Sequence, residues 1–243
     1  MTDTILRTDG LTKRFGALTA NDGISLSVER GEIRGIIGPN GSGKTTFFNC
    51  VTGFLDPDEG SVEFDGTDVT GWDPHRIARR GMVRTFQIVS PFKNMTVRQN
   101  LLAGRVPDRV DKQARVDEIL EFLDIDHIAE NDAGEISGGQ QKLLELGRVL
   151  MLDPDCVLLD EPTAGVNPAL EKRVLEHVRQ LNDDGMTFVV VEHDMSVMRE
   201  VADSVSVFDR GEYIAEGPFD EIQRDERVRK AYLGSASDEE VPI

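Results

Sequence analysis

The feature that most constrains this 243-residue chain is the glycine-rich segment GIIGPNGSGKTT at Gly35 to Thr46. It follows a short apolar run and precedes a stretch with helical periodicity, so it joins a strand to a helix. Glycines there let successive backbone N–H groups surround phosphate oxygens at a helix N-terminus, whose dipole favours anions. The pattern GxxxxGK[ST] in this context is typical of nucleoside triphosphate binding, and an ordinary glycine turn is the weaker interpretation.

Each position of this phosphate-binding loop has a predicted part in holding the nucleotide. We expect Lys44 to reach the β and γ phosphates as a mobile charge and Thr45 to supply one Mg²⁺ ligand. Thr46 is expected to cap the helix or contact the α-phosphate. The predicted nucleotide-binding positions are Gly38, Pro39, Asn40, Gly41, Ser42, Gly43, Lys44, Thr45 and Thr46.

A second element is the apolar segment CVLLDEP at Cys156 to Pro162, which contains two adjacent carboxylates. Because side chains alternate along a strand, Asp160 and Glu161 point to different sides and can have different roles. Asp160 suits Mg²⁺ binding through water, and Glu161 suits the general base, or the polarising group, for the water that attacks the γ-phosphate. An isolated acidic pair at a strand end is usually a solvated turn; the phosphate-binding loop favours the catalytic interpretation.

The third element is ISGGQ at Ile136 to Gln140, directly before a helix with apolar residues on one face. Ser137 is a suitable N-terminal cap for that helix, which alone would account for the serine. Capping does not account for the paired glycines Gly138 and Gly139. They free backbone N–H groups at a helix start and predict a second anion site about a hundred residues after the first.

Short apolar runs alternate with helical periodicity, which predicts an α/β fold with a largely parallel sheet. A helix is expected from Asn167 and Pro168 to about Gly185, and the stretch from Thr96 to Leu152 is mainly helical in pattern. Ser235 to Ile243 is predicted to be a short acidic tail. Strands are predicted at Ile24 to Val28, Ile33 to Ile37, Val62 to Phe64, Met82 to Phe86, Cys156 to Leu159, Thr187 to Val191 and Ser204 to Phe208.

The net charge of −18 disfavours a nucleic-acid partner, because phosphate backbones are bound by clustered Lys and Arg. Only seven of the 27 cations are Lys, and this carboxylate-rich surface suggests a halophilic protein whose self-repulsion is screened by salt. The apolar runs are too short to span a bilayer and no secretory signal is visible, which predicts a cytoplasmic protein. Cys50 and Cys156 are expected to be buried thiols rather than metal ligands or a disulfide.

The phosphate-binding loop, ISGGQ and LLDEP, in this order and spacing, resemble the ATP-binding cassette (ABC) family over nearly the whole chain. The resemblance implies ATP and Mg²⁺ as cofactors and ATPase activity coupled to transport. It implies a P-loop NTPase (RecA-like) core with a mainly parallel sheet, an N-terminal antiparallel β subdomain and an inserted α-helical subdomain. The expected division is residues 1–87 and 153–234 for the core with its β subdomain, 88–152 for the helical subdomain and 235–243 for the acidic tail.

The resemblance also implies a dimer in which two cassettes enclose two ATP molecules. Ser137 and Gly139 would then touch the γ-phosphate held by the opposite chain, within the nucleotide-contacting set Ser137, Gly138, Gly139 and Gln140. Further family positions are Gln87 for Mg²⁺ and the attacking water, His193 for the γ-phosphate, Phe15 for adenine stacking, and Asn167 where many members have Asp. The predicted catalytic set is Glu161, His193, Gln87 and Lys44, and the predicted metal set is Thr45, Gln87 and Asp160.

The competing interpretations of these positions are a polar loop residue for Gln87 and core packing for Phe15. The other histidines, His75, His127 and His177, are expected to be solvated surface residues.

Finer similarity is to the branched-chain amino acid importer ATPases of the LivG type, carried by segments such as MVRTFQ, AGVNP and RKAYLG. This implies permease subunits, a second cassette that is identical or different, an extracellular substrate-binding protein, and a peripheral position on the cytoplasmic face of the membrane. Related cassettes serve amide or urea uptake, so the cargo stays open. The alternatives are a lipid or lipopolysaccharide export cassette, a soluble cassette outside transport, and a P-loop kinase, which would lack ISGGQ.

Overall fold

Two sheets form the frame of the molecule, for which a computed structural model describes residues 3–85 and 91–233. The first is a four-stranded antiparallel sheet with the order β2-β1-β4-β5. Its strands are β1 (Thr4–Phe15), β2 (Leu18–Glu29), β4 (Glu59–Phe64) and β5 (Thr67–Asp68). Register shifts interrupt the β1–β2 pairing at several points, which bends this long hairpin.

The second sheet has six strands in the order β10-β9-β3-β8-β7-β6. All of its pairs are parallel except β9 with β10. The strands are β3 (Ile33–Ile37), β6 (Met82–Arg84), β7 (Cys156–Asp160), β8 (Thr187–Val191), β9 (Ser204–Asp209) and β10 (Glu212–Gly217). Strands β3, β7 and β8 are buried along their whole length, as expected for parallel strands covered on both faces.

Nine α-helices occur in the described residues, and three of them build a separate helical lobe. The lobe contains α3 (Val97–Ala103), α4 (Lys112–Phe122), a short 3₁₀ helix (Asp126–Ile128) and α5 (Gly138–Leu150). The other helices are α1 (Lys44–Val51), α2 (Pro74–Arg80), α6 (Pro168–Asp183), α7 (Met195–Val201), α8 (Phe219–Ile222) and α9 (Glu226–Leu233).

Three apolar clusters hold these parts together. One fills the space between the two sheets and includes Phe47 and Phe48 of α1 with Phe64 of β4. Another lies on the opposite face of the six-stranded sheet, under α6 and α7, and the third is the interior of the helical lobe. Cys50 and Cys156 are buried free thiols, as predicted, and burial raises the pKa of Cys50 to about 11 and that of Cys156 to about 12.

The expected fold class is confirmed: a mainly parallel α/β core with an antiparallel β unit and a helical lobe. Strands β3 and β8 have the predicted bounds, whereas the first strand, β1, and the edge strand β10 were not predicted. Burial along both is irregular and so hides the alternation that identifies a strand. The predicted strand Met82 to Phe86 ends at Arg84, and Phe86 lies outside the described residues. Within the described ranges, no helix is both long and apolar enough to cross a membrane.

Candidate nucleotide site

The predicted site residues converge because three neighbouring parallel strands end at the same edge of the sheet. Strand β3 is followed by the phosphate-binding loop, β7 ends at Asp160, and β8 leads to His193. The register pairs Asp160 with Val191 and Ile36 with Val191, which brings the three strand ends side by side. The carboxyl edge of a parallel sheet is the usual ligand-binding edge in such folds.

The loop between β3 and α1 needs glycine at two positions because of close backbone approach. A Cβ on Gly38 would lie 2.2 Å from the carbonyl oxygen of Phe208, and one on Gly43 would lie 2.3 Å from that of Ala20. Gly43 caps α1 with a left-handed φ of 103°. The loop is thus fixed between β2 and β9, with the N-terminus of an eight-residue helix behind it, as a phosphate cradle requires.

Lys44 lies almost wholly buried and folds back over its own loop. Its ammonium donates hydrogen bonds to the carbonyl oxygens of Gly38 at 2.7 Å and Pro39 at 2.9 Å. Burial lowers the pKa of Lys44, while the charges of Glu161 and Asp160 act in the opposite direction. The two carboxylates are therefore close enough to influence the charge that is predicted to hold the phosphates.

Glu161 and His193 meet directly: Nε2 of His193 lies 2.7 Å from Oε1 of Glu161. Glu161 has a left-handed φ of 49°, an unfavourable conformation for a residue with a side chain. Neighbouring contacts hold the segment there, because Lys142 donates to the carbonyl oxygens of Glu161 and Pro162 at 3.0 and 3.1 Å. A backbone held in a costly conformation beside an acid–base pair is typical of a functional site.

Asp160 forms a buried ion pair with Arg84 of β6, in which Nη2 lies 2.9 Å from Oδ2 and both side chains are 6% exposed. Burial raises the pKa of Asp160, and the charge of Arg84 partly offsets that effect. Asp160 and Thr45 offer the oxygen donors that Mg²⁺ prefers, so the residues present fit the predicted metal.

The phosphate-binding loop, Glu161 and His193 line one cavity of about 570 Å³. Its far wall contains the half-exposed ring of Phe15 together with Leu18, and Lys13 places its ammonium 5.8 Å from the centre of the Phe15 ring. The partly exposed ring favours ligand stacking over the competing interpretation of Phe15 as core packing. The cavity therefore has an apolar end for a base and a cationic, N–H-rich end for phosphates.

The ISGGQ segment lies elsewhere: none of the described residues that line this cavity belongs to it. Ser137 caps α5 and forms a reciprocal capping box with Gln140. A Cβ on Gly138 would meet open space, whereas one on Gly139 would lie 1.7 Å from a methyl carbon of Leu170. Asn167 caps α6 through a 3.1 Å hydrogen bond from the Leu170 N–H. The predicted second anion site is thus an exposed helix start outside the cavity.

Comparison with known proteins fits this geometry. A family profile described as "ABC transporter" matches residues 21–164, which contain the phosphate-binding loop, ISGGQ and the two carboxylates. The chain belongs to the ABC transporter family. A second profile, "Branched-chain amino acid ATP-binding cassette transporter", matches residues 214–238.

Individual relatives of this ABC cassette cover nearly its whole length. The "Probable branched-chain amino acid transport ATP-binding protein LivG" of Methanocaldococcus jannaschii is 41% identical, with 95% of this chain and 97% of the relative covered. A crystal structure of the ADP conformation of an ATP-binding cassette is 39% identical, with a TM-score of 0.85 and coverage of 96% and 100%. A dimeric post-hydrolysis cassette bound to ADP and phosphate is 26% identical, with a TM-score of 0.77 and coverage of 88% and 99%.

One predicted residue of the cassette cannot be placed and one prediction is wrong. Gln87 lies outside the described residues, so its role stays a prediction. His177 is buried in α6 against the ring of Phe122, not solvated. The sequence carried the signal, because position 177 falls three residues after Val174 and four before Leu181, on the apolar face of that helix.

Sequence reasoning also missed two arginines of the cassette. Arg84 binds Asp160, and only the strand order of the sheet could have shown that. Arg210 lines the nucleotide cavity from the two-residue turn between β9 and β10. The glycine of this Arg-Gly pair, after the predicted strand Ser204 to Phe208, is a turn signal, but the position of the turn beside the phosphate-binding loop depends on the strand order of the sheet.

Proposed function

We propose that this ABC cassette is the ATP-hydrolysing subunit of an importer for branched-chain amino acids, working as one of two cassettes beneath membrane permease subunits. The observation that carries the proposal is the contact between Glu161 and His193 in the same cavity as the phosphate-binding loop. A carboxylate held by an imidazole beside a phosphate cradle is suited to activating water.

The residues divide the chemistry between them. Glu161 accepts the proton of the attacking water, and His193, oriented by Glu161, contacts the γ-phosphate. Lys44 exchanges its bonds to the carbonyl oxygens of Gly38 and Pro39 for bonds to phosphate oxygens. A bound Mg²⁺, held by Thr45, Gln87 and Asp160, would neutralise charge on the phosphates.

A second cassette completes the site. The ISGGQ segment presents its helix start to solvent and does not line the cavity of its own chain. Ser137 and Gly139 therefore serve the nucleotide of a partner cassette, identical or different. The dimeric cassette with ADP and phosphate, to which this chain is similar, supports the pairing.

A groove of about 400 Å³ between the core and the helical lobe is the proposed contact for a permease subunit. It is lined by residues of β6, α2 and α5, and the half-exposed ring of Phe54 forms part of its wall. Exposed aromatic rings beside arginines are common in protein interfaces. This contact would hold the cassette on the cytoplasmic face of the membrane.

The cargo assignment comes from the relatives and the branched-chain profile at residues 214–238. An importer of this class also needs an extracellular substrate-binding protein. The excess of carboxylates, with a net charge of −18, supports a halophilic origin.

Co-purification from native membranes tests the proposal. A tagged chain solubilised with mild detergent should bring permease subunits with it, and Phe54→Asp should reduce their recovery, whereas Glu200→Gln at an exposed position of α7 should not. In the same cells, replacement by Glu161→Gln should abolish uptake of labelled leucine. Recovery of no membrane protein would overturn the transport role, and unchanged leucine uptake would overturn the cargo.

A further inference from the structure

Arg84 is the residue through which the interlobe groove contacts the predicted metal site. It is the last residue of β6, and its guanidinium is held on several sides. Nη2 pairs with Oδ2 of Asp160 at 2.9 Å, and Nη1 donates to Oδ1 of Asn49 at 2.6 Å. The guanidinium carbon lies 5.6 Å from the ring centre of Phe54 and 5.7 Å from that of Phe48.

The two acceptors fix the orientation of the guanidinium. A planar fork can satisfy Asp160 and Asn49 together, whereas a lysine ammonium presents a point charge and cannot reproduce that geometry. Arg84 and Asp160 are both 6% exposed, so water cannot replace either partner easily. Since Oδ2 of Asp160 is bound by Arg84, Oδ1 is the oxygen left to serve a metal-bound water.

Arg84 also reaches the groove. Arg84 and Phe54 both line it, and Phe54 is 47% exposed there. A partner that packs on Phe54 would contact the ring of Phe54, and this ring lies beside the guanidinium of Arg84. Another aromatic–arginine pair, Phe92 with Arg148 at 5.1 Å, offers a natural comparison, because the ion pair with Asp160 is made by Arg84.

We propose that Arg84 is a positioning residue that holds Asp160 in place for Mg²⁺ and makes the metal site sensitive to contacts at Phe54. This inference rests on the proposed role of Asp160 in binding Mg²⁺. Groups that orient a metal ligand typically change metal affinity by roughly 10–100-fold when they are replaced.

The test is the Mg²⁺ dependence of ADP binding by the whole chain, measured by calorimetry with Mg²⁺ and with EDTA. Arg84→Lys should reduce the gain in ADP affinity caused by Mg²⁺, and raise the Mg²⁺ concentration at half-effect, by about tenfold. Binding in EDTA should change less than twofold, and the matched control Arg148→Lys should behave as wild type. Asn49→Ala, which removes one acceptor of the guanidinium, should show the same effect more weakly and serves as the test if Arg84→Lys does not fold.

The variant Asp160→Asn distinguishes the positioning role of Arg84 from the proposed metal-binding role of Asp160. If it abolishes the Mg²⁺ gain while Arg84→Lys and Asn49→Ala retain it, the positioning role is overturned and the proposed metal site stands. If Asp160→Asn itself retains the full gain, the metal assignment in the proposed function fails. For the groove, Phe54→Ala should shift the half-effect concentration of Mg²⁺ and Phe92→Ala should not; equal behaviour of the two would overturn the connection to the groove.

Discussion

Nε2 of His193 lies 2.7 Å from Oε1 of Glu161, although 32 positions separate the two residues in the chain. The pair follows the ends of the adjacent strands β7 and β8, and Glu192 between them accepts hydrogen bonds from the N–H and hydroxyl of Thr163 at 2.9 and 2.7 Å. This second connection fixes the two loops relative to one another. The contact between Glu161 and His193 is thus supported by a second contact between the same two loops.

Glu161→Gln should preserve ATP binding and lower hydrolysis by roughly 10²–10⁴-fold, because an amide cannot accept the proton of the attacking water. Without hydrolysis the ATP-bound, closed form would accumulate, so ATP should convert the variant to a dimer. Phosphate release in single-turnover conditions and size-exclusion chromatography with ATP measure the two effects. Substantial residual hydrolysis would contradict the role of general base, and Glu200→Gln on the surface is the control.

His193→Ala should lower turnover by roughly 10²-fold, the scale expected for one lost donor to developing charge, with a smaller effect on nucleotide affinity. The reason is that the proposed contact of the imidazole is with the γ-phosphate and not with adenine. Comparing ATP affinity with the rate of phosphate release separates the two effects. His127→Ala, an exposed histidine of the helical lobe, should leave both unchanged; an equal loss there would point to general destabilisation.

The strand–loop–helix arrangement around the phosphate-binding loop could be predicted from contiguous sequence, and contacts that depend on strand order could not. The loop at Gly38 to Thr46 contains the glycines that its backbone conformation requires. The pair of Arg84 and Asp160, by contrast, joins residues 76 positions apart through the pairing of β6 with β7. Periodicity fixes which face of a strand is buried but not which strand is its neighbour, so this contact was invisible in sequence.

The fold shows the same division. Strand β8 was predicted at its observed bounds because a fully buried parallel strand is a continuous apolar run. The bulged strand β1 was missed because register shifts break its alternation. The error at His177 has another origin: residue type was given more weight than position on the helix, although the apolar face of α6 already included that position.

Arg210 should contribute to nucleotide binding. Its φ of 48° is unfavourable for arginine, the neighbouring Gly211 donates its N–H to the Ser42 carbonyl at 3.0 Å, and the turn is thereby fixed to the phosphate-binding loop. Within the described residues no hydrogen bond or ion pair of Arg210 is found, so its charge is available to an anionic ligand. Arg210→Gly should weaken ADP binding by roughly tenfold without lowering the melting temperature, because glycine adopts this φ without strain.

The control for this change is Arg179→Ala. Arg179 lies on the exposed face of α6, so this variant removes an equal charge outside the cavity lining. It should leave ADP affinity unchanged. Unaltered ADP binding by Arg210→Gly would show that the strained turn serves the hairpin alone.

Salt should stabilise this protein. With a net charge of −18, repulsion between carboxylates acts over about 10 Å in 0.1 M salt but only about 3 Å in 1 M salt. We expect the melting temperature to rise steadily as KCl increases over that range. Sucrose at the same concentrations is the control, because it stabilises proteins without screening charge and should give a smaller rise. Full stability in dilute buffer, with no response to KCl, would contradict the proposed halophilic origin.

His177 should make the junction between α6 and the helical lobe sensitive to acid. Its ring lies 5.0 Å from that of Phe122, and both ring nitrogens are buried without a hydrogen-bond partner among the described residues. Burial lowers the pKa of His177, and the charge of Arg173 adds to the effect, while the charges of Glu176 and Asp124 oppose it. In the unfolded chain His177 therefore binds a proton near pH 6.5, whereas in the folded chain it is protonated only at lower pH.

Because the unfolded state binds more protons in this range, the free energy of unfolding decreases as pH falls through about 6.5. The decrease is up to about 1.4 kcal/mol per pH unit until the folded form also protonates. His177→Phe keeps an aromatic ring against Phe122 and removes the titration. Its melting temperature should fall less than that of wild type between pH 7.5 and 5.5 in thermal unfolding. His127→Gln should retain the wild-type slope, and parallel slopes for His177→Phe and wild type would show that the buried imidazole does not govern the acid response.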